Sequence, residues 1–189
     1  MSSTATSLLP LGSKAPHLWL PDTNSNNNYS FNQLKGKVGT VVIFLGNSCP
    51  FTAHVLPEVV KMNNDYRVMG IEFAGINSND AGRSPQDGPA NMTEFAFNQH
   101  MDFPYLYDET QDVAKAFDAT CTPDFYLFDN EDTLVYHGQL DDSRPGNGIA
   151  LGGADLRTAI DSLLYNRTIP EVQKPSTGCY IIWQADTNV

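Results

Sequence analysis

Apolar positions in this chain come in two alternating patterns, short solid runs and stripes spaced three or four residues apart. The solid runs read as buried strands: residues 38–45 with their core at 40–45, residues 68–76, and the pair 124–128 and 133–140. The stripes read as helices packed by one face. Phe51, Val55, Val59 and Met62 recur at intervals of four, four and three, and Leu156, Ile160, Leu163 and Leu164 line the inner face of a closing helix over 155–165. Pro57 lies inside the first of these helices, where its missing N–H predicts a kink. Further helices are predicted over 90–100 and 110–117, with a loop at 84–89 and a short extended stretch at 103–107.

Two extended pieces, 18–22 and 29–31, flank an Asn/Ser-rich connection and predict a hairpin. The four-residue link 129–132 makes the last two strands antiparallel. Strands alternating with helices, followed by an antiparallel pair and a helix, define a three-layer α/β/α sandwich with a mixed sheet. Residues 1–9 are polar and expected to be disordered. Residues 10–189 then form a single domain that includes a C-terminal tail over 170–189, in which residues 180–183 read as an added strand or clamp.

The chemistry concentrates where the first central run meets its helix, at Gly46-Asn47-Ser48-Cys49-Pro50-Phe51-Thr52-Ala53-His54. Proline at the first helical position puts Cys49 at or beside the N-cap. There the unpaired N–H groups and the positive end of the helix dipole favour a thiolate, and an ordinary cysteine titrating near ~8.5 becomes a candidate nucleophile.

Charge and composition narrow the function classes. Eleven basic and 22 acidic residues give a net charge of −11, and the basic ones do not cluster. That pattern argues against nucleic acid and against anionic membranes as partners. The N-terminus lacks a basic n-region and its apolar stretch ends after two leucines, so a cytoplasmic location is expected. In a reducing compartment, three cysteines are expected to work as thiols or transient disulfides.

A second feature joins Cys49: Cys121-Thr122-Pro123 immediately precedes the strand at 124–128. The combination resembles the thioredoxin superfamily, and within it the peroxiredoxin-like branch of the alkyl hydroperoxide reductase/thiol-specific antioxidant proteins. The resemblance rests on Asn47-Ser48-Cys49-Pro50-Phe51, Ile76-Asn77-Ser78-Asn79-Asp80, Cys121-Thr122-Pro123-Asp124-Phe125, Asp141-Asp142-Ser143-Arg144-Pro145-Gly146-Asn147-Gly148 and Pro175-Ser176-Thr177-Gly178-Cys179, with a further block from Phe103 to Gln111. It spans about residues 11–183. It implies a thioredoxin fold, a cis bond before Pro123, no cofactor, a peroxide or disulfide substrate and an external thiol reductant of the thioredoxin or glutathione kind. It also implies a substrate groove formed by Asn47, Pro50, Thr52, Thr122 and Pro123.

The departures from the family pattern are specific. The second cysteine of a thioredoxin dithiol is replaced by Thr52. The proline and the Thr/Ser that precede a peroxidatic cysteine by seven and three residues are Val42 and Gly46. Cys49 is therefore reactive by position, with Cys179 and Cys121 as possible resolving thiols. Thr52 is either a hydrogen-bond donor to the thiolate or an ordinary first-turn residue. Arg144 is either an anion contact or part of a structural loop. His54 lies about 140° round the helix from Cys49 by the ~3.6-residue period, and reads as a groove or solvent-facing side chain rather than a general base. A reading of another class makes Cys49 and Cys121, with His54 as a distant third, soft ligands for Cu(I) or Zn. A third treats the fold as a partner-binding module only.

Overall fold

The computed structural model describes residues 2–4 and 9–185. In chain order the elements are β1 (Ser2–Thr4), β2 (Trp19–Pro21), β3 (Asn28–Ser30), α1 (Phe31–Leu34), β4 (Gly39–Phe44), α2 (Pro50–Tyr66), β5 (Ile71–Asn77), α3 (Pro89–Asn98), β6 (Tyr105–Tyr107), α4 (Asp112–Phe117), β7 (Cys121–Thr122), β8 (Asp124–Asp129), β9 (Leu134–Gly138), α5 (Ala154–Leu164) and β10 (Thr177–Tyr180). A five-stranded sheet in the order β6-β5-β4-β8-β9 forms the middle layer. Strands β4, β5 and β6 run parallel, and β8 and β9 complete the sheet antiparallel.

Strand alternation on β4 sends side chains into two separate cores. Val41 and Ile43 face α2, α3 and α5, where Val55, Val59, Met62, Met92 and Ile160 are buried. Val42 and Phe44 face the opposite layer of α1, α4 and the β2–β3 hairpin. In that second core the fully buried Phe117 meets Phe44, Tyr126 and Phe128 edge to face. Both faces of β4 are covered, so its run of apolar residues continues unbroken instead of alternating.

Four local expectations need correction. Residues 67–69 form a 3₁₀ turn rather than the start of β5, and Val68 is 83% exposed. Gly70, at φ +92°, ends that turn, and the strand begins only at Ile71. Phe31, read as extended, opens the short helix α1, where Ser30 and Gln33 make a capping box. The tail strand lies at Thr177–Tyr180, earlier than 180–183. It joins a small sheet of its own, in the order β1-β10-β7. Finally, Ser2–Thr4, within the stretch expected to be disordered, pairs antiparallel with β10 because that strand offers an open edge; the rest of 1–8 lies outside the described residues. Helix α2 continues through Pro57 from Pro50 to Tyr66. No helix among the described residues is long and apolar enough to cross a membrane.

Candidate active site

Cys49 is the N-cap of α2, with extended backbone (φ −87°, ψ 117°) and Pro50 following at the first helical position. Its sulfur accepts the Thr52 backbone N–H at 3.5 Å. The Thr52 hydroxyl is engaged elsewhere, accepting the Gly46 N–H at 3.3 Å. The backbone of Thr52 therefore meets the sulfur, while its side chain braces the preceding loop.

That loop is held from the side by a carboxylate absent from the sequence-based reading. Asp87, fully buried, accepts the Asn47 N–H at 2.7 Å, the Ser48 hydroxyl at 2.8 Å, the Asn77 amide at 2.8 Å and the Ser84 hydroxyl at 2.6 Å. Burial pushes its carboxyl up, but these donors outweigh burial and hold it below the ordinary carboxylate range. The buried Tyr105 donates its hydroxyl to Asn47 Oδ1 at 2.8 Å and fixes the far side of that side chain. Asp87 follows Pro85 in a 3₁₀ turn, and nothing in its sequence context distinguishes it from any loop acid.

Opposite the helix N-terminus lies β7. The Thr122–Pro123 peptide bond is cis. The Cys49 thiol donates to the Thr122 carbonyl at 3.1 Å. Thr122 Oγ1 is buried with no hydrogen-bond partner of its own among the described residues, and the Thr122 side chain is one of the groups that lower the Cys49 pKa. Strand β10 lies antiparallel on β7 with Cys179 paired to Thr122 and Tyr180 to Cys121. This register brings the Cys179 sulfur to 2.9 Å from the Cys49 sulfur. A disulfide bond is ~2.05 Å, so the two are thiols in direct contact.

The contact divides the protons unequally. Burial raises the Cys49 pKa, but hydrogen bonds from Cys179, Thr122 and the Thr52 N–H outweigh it, and Cys49 falls below an ordinary thiol. Cys179 moves the other way, to about 12, through burial and then its hydrogen bond to Cys49. Of the two thiols, Cys49 therefore gives up its proton more readily than Cys179.

The other predicted residues are placed differently. Cys121 is fully buried, and strand alternation turns its side chain away from the face of β7 on which Thr122 meets Cys49. Its position therefore favours Cys179 over Cys121 as the thiol that meets Cys49. His54 Nε2 is 2.8 Å from Ser143 Oγ and lines a shallow hollow with Phe51, Pro123, Phe125 and Arg144. The Arg144 guanidinium donates to the carbonyls of Asp141 and Ser143 at 2.6 and 2.7 Å and to the Gln139 amide oxygen, so the loop's own oxygens hold it. Asp141 in turn accepts the Gly152 and Gly153 N–H groups. Among the described residues no three His, Cys, Asp or Glu side chains converge on a metal position, so the set of Cys49, Cys121 and His54 is not assembled as a site.

A family model described as Redoxin matches residues 10–150. The chain belongs to the Redoxin family. The crystal structure of an uncharacterized conserved protein from Geobacillus kaustophilus is 48% identical, covers 99% of this chain and 98% of that one, and superposes with a TM-score of 0.96. A hypothetical protein from Sinorhizobium meliloti is 40% identical over 97% of this chain and 100% of its own, with a TM-score of 0.93. Thiol-disulfide oxidoreductase ResA of Bacillus subtilis is 25% identical over 124 residues, 66% of this chain and 64% of ResA. The match thus spans under two thirds of that relative. More distant solved structures, 16–18% identical with TM-scores of 0.64, share the thioredoxin fold.

Proposed function

We propose that Cys49 and Cys179 form the working redox couple of this protein, cycling between a dithiol and an intramolecular disulfide. The 2.9 Å contact between their sulfurs carries this reading. The Cys49 thiolate attacks a peroxide oxygen: an S–O bond forms, the O–O bond breaks, and the departing alkoxide or hydroxide takes up a proton. Cys49 is thereby oxidised by two electrons to sulfenic acid.

The negative charge that helps to hold Cys179 as a thiol is then gone, so the second nucleophile becomes available once the first has reacted. Cys179 attacks the Cys49 sulfur, the S–S bond forms, and the oxygen leaves as water. With a disulfide substrate, Cys49 attacks one sulfur, the other leaves as thiolate, and Cys179 resolves the mixed disulfide. Two external thiols of the thioredoxin or glutathione kind return the electrons. We read this cycle as an antioxidant one, and the cytoplasmic location expected from the sequence is a compartment that would supply such thiols.

The test is peptide-mapped mass spectrometry of the reduced protein after one equivalent of hydrogen peroxide. The expected product is a Cys49–Cys179 disulfide, absent from Cys49→Ser. Untouched thiols, or activity undiminished in Cys49→Ser, would falsify the proposal.

A further inference from the structure

A two-residue strand such as β7 presents backbone N–H and C=O groups along its edge, and such an edge is a template for an extended polypeptide. Here the template is already occupied. Strand β10 lies on it, and pairing with Thr122 sets the sulfur of Cys179 against Cys49. An incoming strand in the same register would bring its own cysteine to the same place. The tail thus sits as a bound polypeptide substrate would, with Cys179 in the position of the substrate cysteine.

Gly178 makes this fit possible. A Cβ there would lie 1.9 Å from the Thr122 carbonyl oxygen and 2.6 Å from its carbon, both immovable backbone atoms. No other residue can approach β7 so closely. The strand is also tied down at both ends. Ser176, buried, donates to the Gly138 carbonyl at 2.6 Å. Beyond the strand, Ile181 is buried and donates its N–H to the Thr120 carbonyl at 3.0 Å, while Ile182 donates to Asn79 Oδ1 at 2.8 Å. Cys49 is left only 3% exposed.

We propose that β10 is a resident substrate-mimicking strand that reserves Cys49 for small oxidants and excludes polypeptide disulfides, with Gly178 as the residue that sets this selectivity. The inference rests on Cys49 being the reactive thiol.

Two probes with the same leaving group separate the effects. One is 2,2′-dithiodipyridine. The other is an extended peptide carrying a single Gly-Cys pair, so that it can take the register of Gly178-Cys179, with the cysteine activated as its thiopyridyl disulfide. In each, the Cys49 thiolate forms a mixed disulfide and expels thiopyridone, whose absorbance follows the rate; Cys179 then displaces the attached group, and peptide mapping of the resulting Cys49–Cys179 disulfide assigns the reaction to Cys49. In Gly178→Val the peptide reaction at Cys49 is expected to rise about tenfold or more, the scale of losing one or two strand hydrogen bonds, while the dipyridine rate stays within about threefold. Ser176→Ala loosens the strand at its start, with a smaller change of the same sign expected. A peptide-to-dipyridine ratio equal in the wild type and both variants overturns the inference. So does a parallel rise in both rates, which would mean that β10 merely shields the sulfur. A Cys49 that reacts with neither probe in any of the three proteins overturns this inference and the redox reading together.

Discussion

The Asp87 carboxylate accepts the backbone N–H of Asn47 at 2.7 Å across 40 positions of sequence, so an acid in one loop fixes the loop that delivers the reactive cysteine. Replacing Asp87 by Ala leaves four buried or part-buried donors without their acceptor. The expected loss of stability is about 3 kcal/mol, measured by urea denaturation.

The same carboxylate gives stability a pH dependence. Its folded pKa lies below the value in the unfolded chain, so its contribution is present above about pH 4 and is lost as pH falls through the lower folded value. The denaturation midpoint of Asp87→Asn is expected to lack that acid limb. An identical acid limb in both proteins would show that Asp87 does not carry it.

Removing the second thiol should change what oxidation produces. In Cys179→Ser no intramolecular partner stands against Cys49, so peroxide is expected to carry Cys49 past sulfenic to sulfinic acid. Intact-mass spectra after graded peroxide would show a gain of two oxygens in the variant against a loss of two hydrogens in the wild type. A wild type that also accumulates the dioxygen species at low peroxide would argue against Cys179 as the resolving thiol.

Cys179 also lowers the pKa of its partner. In Cys179→Ala the donor is lost and burial acts on Cys49 with less opposition, so the Cys49 pKa is expected to rise. The pH profile of iodoacetamide alkylation at Cys49 should therefore shift to higher pH in the variant. A profile that stays in place would assign the depressed pKa to Thr122 and the helix terminus instead.

In the oxidised pair the two sulfurs are unequal. Cys49 is the better leaving group and is nearly inaccessible, whereas Cys179 is partly exposed. An external thiolate should attack Cys179 and expel Cys49. Acid quenching early in reduction by glutathione, followed by peptide mapping, is expected to find the adduct on Cys179. An adduct confined to Cys49 would reverse the assignment.

Most of the layer order was legible because burial leaves a mark on local sequence. The apolar run of β4 and the stripe of Phe51, Val55, Val59 and Met62 each follow from the faces they cover. Cys49 was legible because Pro50 marks the helix start beside it. Asp87 was not, since its role arises only when a turn after β5 folds against the loop before α2. Arg144 illustrates the same limit: only the fold shows that the oxygens of Gln139, Asp141 and Ser143 meet its guanidinium. The sequence places the tail strand a few residues late because Tyr180, Ile181, Ile182 and Trp183 look more strand-like than Thr177-Gly178-Cys179. Yet Gly178 decides the pairing, by having no side chain to collide with Thr122.

Cys49 and Cys179 stand 130 positions apart in the sequence. A covalent bond between them would close about two thirds of the chain into one ring and remove about 5 kcal/mol worth of chain entropy from the unfolded state. That is comparable to the entire folding stability of many small domains. Oxidation would then be recorded as resistance to melting and proteolysis, and the oxidised molecules would be the ones that outlast the stress.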